Sequence, residues 1–305
     1  MFKQYVIHMA MELRHLRYFL AVAAESNVTR AAARLGISQP PLSQQIKELE
    51  RWLGVELFHR TPQGMSLTAA GEAFQMEAMR TLQAAEQARH AAVRASRGQT
   101  GTVRVGFTGS ASFHPVVART IRDFRRQWPD VQLVLEENNT TKLTERLLGG
   151  SVDAAFLRPA SSGLAEMDVL RFKDEPMKVA LPSSHPLAGR RRIELRRLAQ
   201  DPFVLFPRSV GLSLYDAVIE ACKTAGFEPQ LGQEAPQLAS VINLVAAEMG
   251  VSIVPASLAQ IHLAGVNYVD ISGPAPVATL GLAVHSQNTT PAVRNFVQAC
   301  KSGLS

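Results

Sequence analysis

The sequence of 305 residues contains only two cysteines and no long apolar run. Cys222 and Cys300 lie in different segments and form neither a CxxC pair nor a metal-ligand spacing, which favours a reducing compartment, the cytoplasm. No apolar stretch approaches the roughly 18 residues of a membrane helix, so no membrane partner is expected. Residues 1–10 are too short and too polar for a signal peptide, and we treat them as an N-terminal extension outside the fold.

Aspartate is absent from the first 100 residues, where 12 lysines and arginines face 8 glutamates. This third of the chain therefore carries four of the six net positive charges. The mild positive bias fits a nucleic-acid partner without establishing one. Hydrophobic residues make up 46% of the chain, enough for the two or three packed domains that its length suggests.

The sequence also lacks the motifs of common enzyme classes. HExxH, GxSxG, a Walker loop and a GxGxxG that opens a helix after a strand are all absent. The eight histidines are scattered along the chain. We therefore expect no enzyme activity, no cofactor and no metal site. A two-domain enzyme or a solute-binding protein with a helical N-terminal extension is the remaining alternative.

Residues 11–97 are predicted to be helical almost throughout. A first helix is indicated by apolar residues at spacings of three and four, namely Leu13, Leu16, Leu20 and Ala23. Thr29 is a candidate cap for a short second helix, and Gly36 is suited to end it. Ser38 is a candidate cap for a third helix, whose inward stripe is Leu42, Ile46, Leu49 and Leu53.

Two short extended pieces and a long helix follow. Residues 57–58 and 65–67 flank a turn with proline and glycine, and this pattern predicts a hairpin, or wing. Thr68 can cap the long helix, which is expected to run from Ala69 to about Ser96. A narrow apolar seam on this helix is typical of a coiled-coil-like dimerisation stripe, and it consists of Phe74, Ala78, Leu82, Ala85 and Ala92.

The short helix, tight turn and second helix of residues 29–47 predict a helix-turn-helix. In that motif the second helix lies in the major groove of DNA, with its N-terminal residues at the base edges. Glutamine can read adenine, and lysine can reach guanine or phosphate. The predicted reading set is Ser38, Gln39, Pro40, Pro41, Ser43, Gln44 and Lys47. Supporting contacts are predicted for Thr29, Arg30, Arg34, Arg60 and Gln63. An ordinary solvated helix pair is the structural alternative.

After residue 101 the pattern changes to alternating strands and helices, which predicts mostly parallel sheets covered by helices on both faces. Two such sets form two lobes, the first at about residues 101–172 and 275–305 and the second at about 173–274. A ligand would bind in the cleft between them, beyond the C-terminal ends of the strands.

Polar residues at these strand ends predict that the cleft takes a small organic acid. Hydroxyl groups, helix N-termini and forked arginines are the groups that hold a carboxylate. The predicted ligand contacts are Thr108, Ser110, Ser112, Asn139, Thr140, Arg158, Pro207 and Arg208. Simple helix capping is the alternative for the hydroxyl residues, and a surface position is the alternative for each arginine.

A dense, ordered set of short motifs fills residues 11–71. These are Met11-Glu-Leu-Arg-His-Leu-Arg-Tyr-Phe19, Ala31-Ala-Ala-Arg-Leu35, Ser38-Gln-Pro-Pro-Leu-Ser43, Leu49-Glu50, Gly54-Val-Glu-Leu-Phe58, Arg60 and Leu67-Thr-Ala-Ala-Gly71. The set resembles the N-terminal domain of the LysR-type transcriptional regulators, and the order of the later segments extends the resemblance over nearly the whole chain from Met11. It implies an all-α winged helix-turn-helix domain at residues 11–68, a long dimerising linker helix at 69–97 and an α/β two-lobed, periplasmic-binding-protein-like effector domain at 101–305.

The resemblance also implies a function. A member of this family would be a sequence-specific DNA-binding transcriptional regulator whose activity a small effector modulates. Its partners would be a pseudo-palindromic operator in double-stranded DNA, copies of itself in a homodimer or homotetramer, and RNA polymerase. The segments Val105–Ser110, Leu205–Pro207 and Ser252–Ser257 further resemble the regulators of aromatic-compound degradation, which include a muconate- and benzoate-responsive group. By position, Ser110 and Thr140 match residues that hold the effector carboxylate there.

Overall fold

The computed structural model describes residues 11–61, 64–159, 166–288 and 290–302. The predicted extension at residues 1–10 and the predicted wing contact Gln63 lie outside the described residues. The chain divides into two compact units, the first ending at Val93 and the second beginning at Arg94. Each unit is described by itself below.

The first unit has the predicted order of helices and wing strands. Its elements are α1 (Leu13–Glu25), α2 (Val28–Leu35), α3 (Gln39–Leu53), β1 (Phe58–Thr61), β2 (Gly64–Leu67) and α4 (Ala69–Ser96). The left-handed backbone that follows α2 and α3 is supplied by Gly36 at φ 69° and Gly54 at φ 71°. Thr68 caps α4 as predicted, because its hydroxyl accepts the N–H of Gly71 at 2.9 Å.

Of the two other predicted helix caps, Thr29 is wrong, and Ser38 lies at the predicted N-cap position of α3 without a capping hydrogen bond. Asn27 caps α2 in place of Thr29, because the Asn27 side chain accepts the N–H of Arg30 at 3.0 Å. Thr29 consequently lies inside the first turn. Ser38 has the extended backbone of a cap for α3, but its side chain makes no capping hydrogen bond. The prolines Pro40 and Pro41 lower the need for one, since they have no N–H to satisfy in the first turn.

The core of the first unit is centred on Phe19, whose ring lies 5.1 Å from that of Phe58 and 4.9 Å from that of Phe74. Leu16 is buried against this cluster, as predicted, but Leu13 is 42% exposed. The buried stripe of α1 is therefore rotated from the predicted one, and it comprises His15, Leu16, Phe19, Ala21 and Val22. On α3, the predicted inward residues Leu42, Ile46 and Leu49 are all buried.

The predicted dimerisation seam of α4 is largely used within the chain. Ala78 is buried, and Phe74 and Leu82 pack against the same core as α1. The large apolar side chains that α4 exposes are Met76 and Met79, at 58% and 57%. Phe74, Ala78 and Leu82 are therefore occupied within the first unit, whereas Met76, Met79 and the seam residue Ala92 remain exposed for a contact surface on α4, and Ala85 is half-buried.

The second unit contains the remaining helices and strands. They are β3 (Gly101–Phe107), α5 (Pro115–Gln127), β4 (Val131–Glu137), α6 (Thr140–Leu148), β5 (Ala154–Leu157), β6 (Met167–Arg171), β7 (Glu175–Pro182), β8 (Arg192–Ile193), β9 (Pro202–Leu205), α7 (Leu212–Thr224), β10 (Gln230–Glu234), α8 (Leu238–Ala246), β11 (Ser252–Pro255), β12 (Val266–Ile271), β13 (Val277–Ala278), β14 (Gly281–His285) and α9 (Pro291–Ser302).

Neither large sheet is mostly parallel, which corrects the prediction. The first lobe has the strand order β4-β3-β5-β14-β6, in which β3 is parallel to both neighbours and β14 is antiparallel to both of its own. The second lobe has the order β11-β7-β12-β8, with β7 antiparallel to β11 and β12. In the first lobe the parallel character is lost because β14 returns from the second lobe and enters the sheet in the reverse direction.

Two chain segments cross between the lobes and lie side by side. The N–H of Phe172 donates to the carbonyl of Leu280 at 2.9 Å, and the N–H of Met177 donates to the carbonyl of Pro276 at 2.9 Å. Beyond this double crossing each lobe has its own apolar core. The second unit is therefore two-lobed, with a cleft between the lobes.

Candidate functional site

The N-terminal half of α3 presents a polar surface opposite its buried stripe. Its exposed residues include Ser38, Gln39, Pro40, Pro41, Gln44 and Lys47, and Ser43 is half-buried among them. Because Leu42, Ile46 and Leu49 fasten the other side of α3 to the core, the outward face of this helix is fixed. All the residues predicted to read DNA from this helix therefore share one accessible surface.

Hydrogen bonds between neighbours one turn apart arrange the glutamines of this surface. The amide of Gln39 donates to the hydroxyl of Ser43 at 2.8 Å, and the amide of Gln44 donates to Glu48 Oε1 at 2.9 Å. Residues four apart lie on the same helix face, so such pairs form at little cost. Each glutamine keeps its carbonyl oxygen and one N–H for another partner, which is the donor and acceptor pair that adenine requires.

The two arginines of α2 share one acid. Arg34 Nη1 lies 3.1 Å from Glu25 Oε1, and Arg30 Nε lies 4.0 Å from Glu25 Oε2. Arg30 Nη2 also donates to the main-chain carbonyl of Glu25 at 2.6 Å. Both side chains remain well exposed, at 67% for Arg30 and 62% for Arg34. Exposed ion pairs contribute little stability and exchange readily for other partners. The predicted phosphate contacts are therefore accessible, although each already has a partner.

The wing is tied to the helices at several points. Glu50 Oε1 accepts the N–H of Leu57 at 2.9 Å and that of Phe58 at 3.2 Å. On the second strand, the N–H of Met65 donates to the carbonyl of Ser26 at 2.8 Å. The predicted contact Arg60 is exposed on β1. The wing is thus a fixed part of the surface that includes α3.

A cavity of about 330 Å³ lies between the two lobes of the second unit. Four of the eight predicted ligand contacts line it, namely Thr108, Ser110, Ser112 and Asn139. The other lining residues are not among the ligand contacts predicted from the sequence. Lobe 1 adds Phe113 and Glu137, and lobe 2 adds Phe206, Val210, Gly211, Leu214, Gln237 and Leu238. One wall is hydroxyl-rich, and much of the other is apolar.

The three hydroxyl groups of the cavity have different hydrogen-bonding capacities. Ser112 donates to the carbonyl of Gly109 at 2.7 Å, so its oxygen can only accept from a ligand. Ser110 accepts from Arg158 Nε at 2.9 Å, so its own proton can be donated either to Thr108 or to a ligand. Thr108 Oγ1 lies 3.3 Å from Ser110 Oγ. Because one hydroxyl of this pair donates to the other, the pair keeps one proton that it can donate to an anion.

Arg158 is not on the cavity wall, which corrects its predicted role. Its guanidinium is buried behind Ser110 and donates to Glu175 Oε1 at 2.7 Å. Burial lowers the pKa of Arg158, and the Glu175 carboxylate opposes this effect. Glu175 Oε2 also accepts the N–H of Ser257 at 2.9 Å. Arg158 therefore links the hydroxyl wall to the second lobe and has no free edge for a ligand carboxylate.

Three further predicted contacts lie away from the cavity. Arg208 is exposed and forms two hydrogen bonds with Asp216, at 2.7 and 2.8 Å, which raise the pKa of Arg208. Thr140 is the first residue of α6, and the helix rotates it by about 100° from the lining residue Asn139. Pro207 follows the lining residue Phe206 and is half-exposed. Asn139 itself lines the cavity but uses its side-chain oxygen to cap α6 at Lys142.

Two helix N-termini offer backbone N–H donors at the cavity, where neither Arg158 nor Arg208 lines the wall. Gly211 precedes α7 and Gln237 precedes α8, and both residues line the cavity. Neither makes a side-chain capping hydrogen bond, so N–H groups of these first turns have no side-chain acceptor. Such groups favour an anion. Glu137 is the charged side chain among the lining residues described, and it places an acceptor at the lobe 1 side of the same cavity.

Within the described ranges, no helix is long and apolar enough to cross a membrane. The same residues contain no cluster of three or more side chains of the types that could hold a metal ion.

Comparison with known proteins identifies the family. The model for bacterial regulatory helix-turn-helix proteins of the lysR family matches residues 13–72, and the model for the LysR substrate binding domain matches residues 96–305. The chain belongs to the LysR family. It is accordingly a DNA-binding transcriptional regulator with an effector-binding domain, and not an enzyme, as the sequence predicted.

Individual LysR-type relatives match almost end to end. The uncharacterized HTH-type transcriptional regulator YnfL of Escherichia coli (strain K12) is 40% identical over 292 residues, which are 94% of this chain and 97% of YnfL. The crystal structure of CbnR, a LysR family transcriptional regulator, superimposes with a TM-score of 0.85 at 30% identity, over 95% of this chain and 100% of CbnR. Full-length CbnR complexed with its target DNA gives a TM-score of 0.83 at 29% identity, over 97% of this chain and 100% of CbnR. These matches confirm the predicted fold class.

Proposed function

We propose that this LysR-type regulator reads a pseudo-palindromic operator in double-stranded DNA through the N-terminal half of α3. The observation that carries the proposal is the exposed set of Gln39, Ser43 and Gln44, whose hydrogen bonds along the helix leave an acceptor and a donor on each glutamine. The remaining α3 contacts are assigned to Ser38, Pro40, Pro41 and Lys47. Contacts with the sugar-phosphate backbone of the DNA are assigned to Thr29, Arg30, Arg34, Arg60 and Gln63. CbnR, which is similar over its full length, has been solved with its target DNA.

We infer that the domains have the boundaries and functions that the sequence predicts. Residues 11–68 read DNA, residues 69–97 form the linker helix, and residues 101–305 bind the effector, with lobes at 101–172 plus 275–305 and at 173–274. The two family models leave residues 73–95 between them, which fits a linker. Exposed Met76 and Met79 support dimerisation through α4. The assembly would be a homodimer or homotetramer that acts with RNA polymerase in the cytoplasm.

The DNA proposal predicts different effects for the reading and backbone contacts. Gln44→Ala should weaken operator binding. It should also reduce the preference for one base over the others at a single base pair, by about 5-fold or more if the contact is bidentate. Arg34→Ala should weaken binding to all duplexes alike and lower the salt dependence. The measurement is sequencing of duplexes selected by each full-length variant from a randomised library. Unchanged base preferences after Gln44→Ala would remove Gln44 from the reading set.

We propose that the effector is a small organic acid held in the inter-lobe cavity. Thr108 or Ser110 would donate to its carboxylate, together with the first-turn N–H groups of α7 or α8. Phe113, Phe206 and the apolar residues nearby would cover its carbon skeleton. Glu137 would accept from a hydroxyl or amino group on the same molecule. An aromatic or unsaturated acid, as expected from the resemblance to the aromatic-degradation group, fits the apolar wall.

A thermal-shift screen of benzoate, muconate, hydroxy acids and amino acids would test this assignment. A ligand present at about 100 times its Kd stabilises its protein by roughly 2.7 kcal/mol, which a melting curve resolves. Ser110→Ala should lower the affinity for any acid found, while operator binding without the acid is unchanged. Arg208→Ala is the matched control, since Arg208 is outside the cavity. An effector titration unaffected by Ser110→Ala would exclude Ser110 from the site.

A further inference from the structure

We propose that Glu48 is a positioning residue that fixes the orientation of the Gln44 amide and so favours adenine over guanine at the base pair Gln44 reads. The inference rests on the proposed function, in which Gln44 is a base reader. It is carried by one carboxylate that accepts from two neighbouring amides. Gln44 Nε2 donates to Glu48 Oε1 at 2.9 Å, and Gln45 Nε2 donates to Glu48 Oε2 at 2.7 Å.

Glu48 is itself held in place from the core of the unit. Gln45 Oε1 lies 2.9 Å from Nε2 of His15 on α1. The Nδ1 atom of His15 accepts the N–H of Glu12 at 2.9 Å, so the proton of the neutral ring is on Nε2 and is donated to Gln45. His15 is only 9% exposed. A chain of hydrogen bonds therefore runs from buried His15 through Gln45 and Glu48 to the exposed Gln44.

The direction of this chain determines how Gln44 faces DNA. An ionised carboxylate has acceptors only, so the amino end of the Gln44 amide must face Glu48. A flipped amide would place Gln44 Oε1 against a carboxylate oxygen, where the two would repel. The carbonyl oxygen of Gln44 is therefore directed away from Glu48, with one N–H beside it.

The two purines differ in what they offer to this oriented amide. In the major groove adenine presents the N6 amino donor beside the N7 acceptor, whereas guanine presents two acceptors, O6 and N7. An outward carbonyl oxygen matches the adenine amino group and faces the guanine O6 unfavourably. Without Glu48 the amide is free to flip and to direct its N–H groups at guanine. Glu48 thus contributes to base choice without having to touch the base.

The negative charge of Glu48 gives the proposal a distinctive pair of effects. Placed on a helix that approaches phosphates, the carboxylate opposes DNA binding of every sequence. Its removal should raise the affinity for unrelated DNA and at the same time lower the adenine preference. If Glu48 only stabilised α3, its removal would lower the affinity for unrelated DNA as well as the adenine preference.

The experiment uses full-length protein and the duplex that wild type selects from a randomised library. Affinities are measured for this duplex, for its A·T to G·C change at the position that Gln44→Ala relaxes, and for an unrelated duplex. We expect Glu48→Ala to reduce the adenine preference by about 5-fold, a fraction of the discrimination of a full bidentate contact. Glu48→Gln should keep part of the preference, because one acceptor oxygen remains for two amides. Glu56→Gln removes the same charge from an exposed residue outside α3 and should leave the preference unchanged.

Two results would overturn the inference in distinguishable ways. If Gln44→Ala relaxes one position but Glu48→Ala and Glu48→Gln keep the wild-type adenine preference there, Glu48 does not orient the reader and the DNA-reading proposal stands. If Gln44→Ala relaxes no position, Gln44 is not a reader and both proposals fail. Should Glu48→Ala not fold, as judged by circular dichroism, Glu48→Gln alone decides the question.

Discussion

Replacing Arg158 by methionine is expected to destabilise the effector-binding unit strongly. The side chains of Arg158 and Glu175 are only 3% and 10% exposed, and 2.7 Å separates Arg158 Nη2 from Glu175 Oε1. Methionine occupies much of the same volume, but it leaves the Glu175 carboxylate buried without a cation. Breaking a buried pair in this way costs about 3–5 kcal/mol, most of it from the charge left unpaired. The Ser110 hydroxyl also loses a donor.

A substitution of Glu175, the partner of Arg158, separates the effect of the unpaired charge on stability from the effect of altered packing. Glu175→Gln keeps an oxygen that can accept the N–H of Ser257, which Glu175 accepts at 2.9 Å in the native protein. The double variant Arg158→Met, Glu175→Gln therefore has no uncompensated charge. Replacing a buried ion pair by neutral groups is often close to neutral for stability. We expect the double variant to recover most of the loss, to within about 1–2 kcal/mol of the native protein.

The two tryptophans of the chain allow the effector-binding unit to be followed separately. Trp128 lies in the second unit, and Trp52 lies in the first. In a Trp52→Phe background, urea unfolding followed by Trp128 fluorescence gives the free energy of unfolding of the unit that contains Arg158. A loss below about 1 kcal/mol in Arg158→Met would refute the argument. A double variant as unstable as the single one would show that packing, and not the unpaired charge, is responsible.

Three further outcomes follow from single features of the two units. Arg208→Ala should leave the effector titration unchanged, because Arg208 is exposed and paired with Asp216 outside the cavity; a loss of effector affinity would restore Arg208 as a contact. Gly71→Ala should destabilise the DNA-reading unit by about 1–3 kcal/mol, since a Cβ there would collide with the carbonyl of Leu57, and an unchanged melting curve of Trp52 fluorescence would contradict this. Burial raises the pKa of Cys222 from 9.0 to about 12, so this thiol should resist Ellman's reagent at pH 8 until the chain unfolds. Because the raised pKa keeps this thiol protonated in the folded state only, stability should fall as the pH rises above 9.0; a flat profile would indicate an exposed thiol.

The local pattern of apolar and polar residues predicts some strands and helices, but not the strands whose apolar pattern is interrupted. The alternating pattern after residue 101 predicts strands at Ala154–Leu157 and Gln230–Glu234, and the structure has both strands with these bounds. The strands Met167–Arg171 and Val266–Ile271 were missed, because polar residues such as Asp168 and Asn267 interrupt their apolar pattern. Both strands are defined by pairing with distant partners, β14 and β7. The same non-local pairing sets the strand directions, which is why the mixed sheets could not be predicted from the alternation of elements.

In the candidate cavity, too, residues placed by their own strand could be predicted, whereas residues placed by the packing of the two lobes could not. Thr108, Ser110 and Ser112 could be predicted because they follow a strand that ends at the sheet edge where ligands bind. The lobe 2 wall could not, since Phe206 and Gln237 reach the cavity only through the way the two lobes meet. On α3, by contrast, helical periodicity alone placed Gln39 and Gln44 on the exposed face.

The arginines illustrate why a residue type near a predicted site does not establish a ligand contact. Whether Arg158 faces a ligand depends on Glu175, which lies 17 positions away and in another strand. With that carboxylate present, the charge of Arg158 is neutralised behind the wall, and its effect on the cavity passes through Ser110, whose hydroxyl oxygen it occupies. In the proposed site a carboxylate is therefore held by hydroxyl and backbone N–H donors, without a direct ion pair. Recognition of this kind selects for the position of the donors more than for net charge, because neutral donors are directional and the Glu137 carboxylate on the cavity wall repels a poorly placed anion.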